Sequence, residues 1–143
     1  MVTPAKERRL VLNKVLCKQC GTQLVSYHRH DYKTCGCSNQ TMVDGGLSYL
    51  RYGGMDMEQV ESIPVYMDEP YEKVREAFHW GTYGKEGKGP LKYVPLSSMS
   101  NAHILKVASL MTGKMEPWLE NLFTKEKAYR KENKIWVEET PAN

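Results

Sequence analysis

All four cysteines of this chain fall between positions 17 and 37, as Cys17-Lys18-Gln19-Cys20, then fourteen residues, then Cys35-Gly36-Cys37. Two closely spaced pairs separated by a hairpin-sized interval form a tetrahedral donor set, because each pair on a tight turn can present two thiolates to one ion. Any fold for the first third of the chain must therefore bring positions 17–20 next to positions 35–37. The reading is one structural Zn2+ per chain, held by Cys17, Cys20, Cys35 and Cys37. A variant in which His28 or His30 replaces one cysteine stays open. A closed four-ligand site leaves no position for a water nucleophile and points to structure over metal catalysis.

That reading needs a reducing compartment. The N-terminal segment is charged, and its apolar run is broken by Asn13 and Lys14, which does not fit a secretory signal. No apolar run approaches the roughly 20 residues of a membrane helix. A cytoplasmic protein without membrane association is expected, where cysteines bind metal more often than they pair. The formal net charge is only +3, which permits contact with phosphates without demanding it.

The local signals divide the chain. Residues 1–9 read as a flexible arm, 10–54 as a zinc-ribbon-like domain, 55–69 as a linker with one short strand, 70–137 as an α+β domain and 138–143 as a disordered tail. In the first domain, 23–27 and 32–34 are expected to pair as short strands. Tyr71, Val74 and Phe78 lie on one face of a helix starting near Asp68. Trp80–Tyr83 and Leu91–Leu96 read as a hairpin around a glycine-rich loop. Ser100 caps a second helix and Pro117 opens a third. Glu126 and Arg130 are expected as a helical pair on a solvated face. The fold class is α+β: an N-terminal zinc-ribbon-like β unit, then a β-hairpin packed with about three helices.

Several polar residues are candidate ligand contacts. In an extended segment His28 and His30 share one side and Arg29 and Asp31 the other. They offer imidazoles for proton transfer and a guanidinium for an anion, or support around the metal. Asp44-Gly45-Gly46 is a turn that can also cradle an anion or present Asp44 as an acid. Arg51, Lys85 and Lys88 are candidate phosphate contacts, and Tyr83 a stacking surface for a base. The loop 84–90 lacks the Gly-x4-Gly-Lys-Ser/Thr pattern of nucleoside triphosphate hydrolases.

Together Leu16-Cys17-Lys18-Gln19-Cys20-Gly21, His28-Arg29-His30-Asp31-Tyr32, Cys35-Gly36-Cys37 and Val43-Asp44-Gly45-Gly46-Leu47-Ser48-Tyr49-Leu50-Arg51 resemble a group of small uncharacterised zinc-ribbon-like proteins of bacteriophages and related bacterial elements. The stretch from Trp80 to Leu96 and the following helix with His103 also resemble such phage proteins. Gly36 lies between the second pair and Ser38 follows it, where the usual pattern is Cys-x-Cys-Gly; the geometry of that turn is left open. The resemblance implies expression in an infected bacterial cell and action on a host protein, such as host takeover or inhibition of host defence. The expectation is a non-catalytic accessory protein, with homo-oligomerisation open. The alternatives are a nucleic-acid or small-nucleotide-signal binder, and a phosphodiesterase or nuclease using His28, His30 and Asp44.

Overall fold

The computed structural model describes residues 8–84 and 87–139. The expected ends of the arm and tail (1–7 and 140–143) and Lys85 lie outside them. The chain forms two compact units, residues 1–79 and 80–143.

The first unit is built on β1 (Leu10–Cys17), whose odd positions Val11, Asn13, Val15 and Cys17 are all buried. This period-two pattern gives one inward face, and the only polar residue on it is Asn13. β1 pairs antiparallel with β2 (Gln23–Ser26), in register from Asn13↔Ser26 to Leu16↔Gln23. On its other edge it pairs with β6 (Val60–Ser62) and β7 (Val65–Tyr66). A second sheet runs β3 (Lys33–Thr34), β4 (Met42–Asp44), β5 (Arg51–Gly53). Val15, Cys17, Leu24, Cys35 and Val43 form the core, with Cys37 and Val60 packed against it.

Two expectations change here. The segments 23–27 and 32–34 do not pair with each other: β2 pairs with β1 and β3 with β4. The reason is that each cysteine pair sits in a hairpin loop, and a hairpin pairs its own flanking strands. Residues 55–69 hold β6 and β7, both hydrogen-bonded to β1. The apolar residues Val60, Ile63 and Val65, spaced through that acidic stretch, supply the signal.

The first helix, α1 (Tyr71–Ala77), belongs to this unit and packs on β1 and β7. It begins at Pro70 with no side-chain cap. Asp68 is engaged elsewhere, accepting 2.8 and 2.9 Å hydrogen bonds from the Arg8 guanidinium. Glu69 accepts from the Tyr66 amide and pairs with Lys73.

The second unit contains most of β8 (His79–Thr82), which pairs with β9 (Lys92–Pro95), followed by α2 (Asn101–Leu110) and α3 (Pro117–Asn133). The Ser100 hydroxyl accepts from the His103 amide, as an N-cap should. Trp80 meets the Phe123 ring edge-on at 5.4 Å. Glu126 and Arg130, expected in solvent, are 0% and 2% exposed. They form a 2.7 Å ion pair, and Arg130 also donates to Asn101 Oδ1 and the Leu96 carbonyl. The pair is buried because residues 122, 126 and 130 lie on one helical stripe, and Leu122 and Phe123 already point that stripe inward. Among the described residues no helix is long and apolar enough to cross a membrane.

Candidate metal centre and the adjoining polar cluster

Cys17 ends β1 and Cys20 follows in the β1–β2 loop, where Gly21 takes φ +78° and its amide bonds back to the Cys17 carbonyl at 2.7 Å. Glycine takes this left-handed conformation without steric penalty. Cys35 and Cys37 sit in the β3–β4 loop. There the chain closes through Gln40 at φ +51°, whose amide bonds to the Cys37 carbonyl at 3.0 Å. Gly36 has no positive φ and open space around it, so the second turn does not depend on a glycine at all. That settles the departure in pattern at positions 36–38.

The two loops bring the sulfurs of Cys17, Cys20, Cys35 and Cys37 within 4.8 Å of one another. The Cys17–Cys37 and Cys35–Cys37 separations are 3.6 and 3.5 Å. Neither His28 nor His30 belongs to the group. An all-sulfur donor set of this size can hold one metal ion.

The surroundings favour thiolate. The Thr41 hydroxyl holds the Cys17 thiol down to about 6, outweighing burial, with the Cys20 amide and thiol and the Cys37 thiol acting in the same direction. Thr41 is itself fixed by a 2.8 Å bond from the Asn39 amide. Burial pushes Cys35 up, but hydrogen bonds from Cys37 and Thr41 outweigh it and leave the thiol below its ordinary value. At Cys37 the Asn39 amide pulls down, yet burial and the crowding sulfurs of Cys35, Cys17 and Cys20 push it up to about 11. Cys37 thus holds its proton more tightly than Cys17 or Cys35, and a cation bound at the centre would favour the thiolate form of each. Gln19 donates to the Ser38 hydroxyl at 2.8 Å and lies 3.6 Å from the Cys37 sulfur, joining the two loops. The Lys18 backbone amide donates to the Gln59 carbonyl at 2.8 Å.

A second polar cluster lies in the same unit. Residues 28–31 form a turn, not the extended segment expected, with the Asp31 amide bonded to the His28 carbonyl and His30 at φ +66°. The two histidines consequently diverge. His28 Nε2 lies 3.9 Å from Asp31, whereas His30 Nδ1 lies 3.0 Å from the Tyr49 hydroxyl. That hydroxyl reaches Asp44 Oδ2 at 3.4 Å, and Arg51 Nη1 reaches the same oxygen at 3.3 Å. In the Asp44-Gly45-Gly46 turn the Gly46 amide is already engaged. The Gly46 amide donates to the buried Ser26 hydroxyl, and a Cβ on Gly46 would lie 2.3 Å from the His28 carbonyl carbon.

Of the sequence candidates, His30, Asp44 and Arg51 come together, with His28 and Arg29 on the neighbouring turn. Tyr83 and Lys88 are exposed residues of the second unit. Sequence reasoning missed Asn13, Ser26, Asn39, Thr41 and Tyr49. Asn13 carried the clearest signal: an amide on the apolar phase of an alternating strand.

Residues 9–54, which contain both groups, match a family model described as a domain of unknown function, DUF7695. No curated protein and no solved structure matches the chain.

Proposed function

We propose that the chain is a non-catalytic binding protein whose N-terminal unit is held together by one structural zinc ion, and whose partner is a protein. The observation that carries this reading is the closed set of four cysteine sulfurs. Zinc–thiolate bonds of about 2.3 Å in a tetrahedron put sulfurs about 3.8 Å apart, and two of the separations here are 3.5 and 3.6 Å. With all four donors from the chain, the ion acts as a cross-link between the two hairpin loops.

Exposed apolar side chains supply the partner surface. Leu50, Tyr52, Met55 and Met57 are all at least 36% exposed within eight positions. The sulfurs of Met42 and Met57 both lie 3.9 Å from where a Cβ on Gly53 would sit, so these methionines flank a bare stretch of β5. Methionine-rich exposed surface is adaptable and costs solubility unless a partner covers it. The resemblance to small bacteriophage zinc-ribbon-like proteins supports a host protein as that partner, in the cytoplasm of an infected bacterial cell, with inhibition of host defence as one consequence.

The test is affinity capture from lysate of a phage-sensitive bacterium, comparing the native chain with a Met55→Asp, Met57→Asp double variant. A specific protein retained by the native chain and lost by the double variant supports the reading. No specific recovery by the native chain, with metal bound, counts against it.

A further inference from the structure

The first unit commits two buried polar side chains to one surface loop. Asn13 is 0% exposed and donates through Nδ2 to the carbonyls of Asp44, Gly46 and Tyr49. Asp44 is 4% exposed. Asn13 Oδ1 and Asp44 Oδ1 are both buried without a hydrogen-bond partner among the described residues. Each such orphan acceptor destabilises the fold, and an apolar pair would pack the space without that cost. His30 adds a third expense, a left-handed backbone conformation that a non-glycine residue rarely adopts. Costs concentrated at one spot mark a functional site when they share a result. Here the result is the placement of two surface groups around one buried carboxylate, the Arg51 guanidinium directly and the His30 imidazole through the Tyr49 hydroxyl.

We propose that His30 and Arg51 form a phosphate-binding site, positioned from behind by Tyr49 and Asp44. Nδ1 of His30 is engaged by the Tyr49 hydroxyl, which also reaches Asp44 Oδ2. Nε2–H is then left over as a donor for an oxyanion. Arg51 is 66% exposed at its side chain and commits one nitrogen, Nη1, to Asp44. Its remaining N–H groups suit the planar, two-point recognition of a phosphate.

The local charges agree. Asp44 is matched by Arg51 at 3.3 Å and Asp31 by Lys33 at 3.2 Å. Among the described residues that leaves the exposed Arg29 without an acidic partner on the turn that carries His30. The class of ligand is a phosphate group, of a free nucleotide or of a nucleic-acid strand. The site does not rest on the protein partner proposed above, and the two stand or fall separately.

Nitrogen-15 NMR of the metal-loaded full chain, labelled in arginine and histidine, tests this with inorganic phosphate, then adenosine monophosphate, then a short oligothymidine. The expected result is a saturable shift at His30 Nε2 and Arg51 Nε, with affinity falling about tenfold (1.4 kcal/mol) in Arg51→Ala. Tyr49→Phe, which keeps the ring and removes the hydroxyl, is expected to weaken binding several-fold without changing metal content. Binding of the mononucleotide at least as tight as that of the oligothymidine identifies the phosphate group of a free nucleotide as the ligand. Tighter, steeply salt-dependent binding of the oligothymidine identifies a strand. Absence of saturable shifts with all three probes overturns the proposal, as do shifts that Arg51→Ala leaves unchanged.

Discussion

The side-chain amide of Asn13 donates to the backbone carbonyl of Asp44 at 3.0 Å, across 31 positions of sequence. The same nitrogen serves the carbonyls of Gly46 and Tyr49. One buried side chain on the central strand thus sets the path of the whole loop from 44 to 49. Replacing it with alanine leaves three carbonyls without that donor and opens a small cavity. Asn13→Ala is expected to lower stability by about 2 kcal/mol, measured by urea unfolding, and to speed amide exchange in residues 44–49 more than in β2. Uniform exchange rates across the unit would contradict this role for Asn13.

Gly46 occupies the tightest point of that loop. Its φ is +53°, and a Cβ there would meet the His28 Cα at 2.5 Å and the His28 carbonyl oxygen at 2.6 Å. Those are backbone atoms and cannot swing aside. Gly46→Ala is therefore expected to separate the loop from the 28–31 turn and cost about 2 kcal/mol or more. Gly21→Ala provides the comparison, since Gly21 also has a positive φ but nothing within 4 Å. It is expected to cost about 1 kcal/mol, from backbone conformation alone. Thermal unfolding of the two variants side by side checks the difference.

The cysteine cluster was legible in the sequence because its information is local. Two pairs with fixed short spacings need only turn geometry to become two hairpin loops, and the structure brings all four sulfurs together. The His30–Tyr49–Asp44–Arg51 cluster was only half legible. Its residue types drew notice, but an extended reading of 28–31 hid the divergence of the histidines. Nothing in the sequence pairs position 30 with 49, because that contact depends on Gly46 packing on the His28 backbone. The Glu126–Arg130 pair shows a different failure. Its spacing was read correctly and its environment wrongly, since the charge-rich sequence around it suggests solvent. The stripe through Leu122 argued the other way.

That buried pair carries its own prediction. Arg130 is held by Glu126, Asn101 Oδ1 and the Leu96 carbonyl, so removing the carboxylate leaves a buried cation with only neutral acceptors. Glu126→Ala is expected to destabilise by about 3–5 kcal/mol. Glu126→Gln keeps the shape and one hydrogen bond and is expected to cost less. Calorimetric unfolding that ranks alanine well below glutamine supports a charge effect, and equal losses point to packing.

The second unit also has an acid-sensitive residue. Burial, aided by Lys106 and opposed by Glu139, holds His103 below its ordinary imidazole value. A base with a depressed folded pKa binds fewer protons when folded than when unfolded. Its stability contribution is complete above the unfolded value of about 6.5 and declines as pH falls toward the folded one. Stability is therefore expected to fall between neutral pH and about pH 5, and to fall less in His103→Gln. Urea midpoints across that range, taken for both proteins, check the sign. A fall that is larger in His103→Gln than in the native chain would show that His103 gains a proton on folding.

The candidate metal centre permits ligation to be separated from packing. Cys17 is 0% exposed and lies in the core with Val15, Leu24 and Val43, so its replacement by serine removes a ligand and buries a hydroxyl together. Cys20 is exposed, and its thiol donates to the nearby Thr22 hydroxyl at 3.1 Å. Cys20→Ser therefore disturbs little beyond the fourth thiolate. If the ion cross-links the two hairpin loops, it contributes folding free energy, which for structural zinc reaches on the order of 10 kcal/mol. Cys20→Ser is then expected to lose the metal by native mass spectrometry, and to unfold its strands on mild heating nearly as readily as Cys17→Ser does. A chelator is expected to bring the native chain to the same state, leaving little further effect on either variant. If Cys20→Ser melts with the native chain whether or not chelator is present, the sheet stands on its apolar core alone, and the ion is not what holds the loops together.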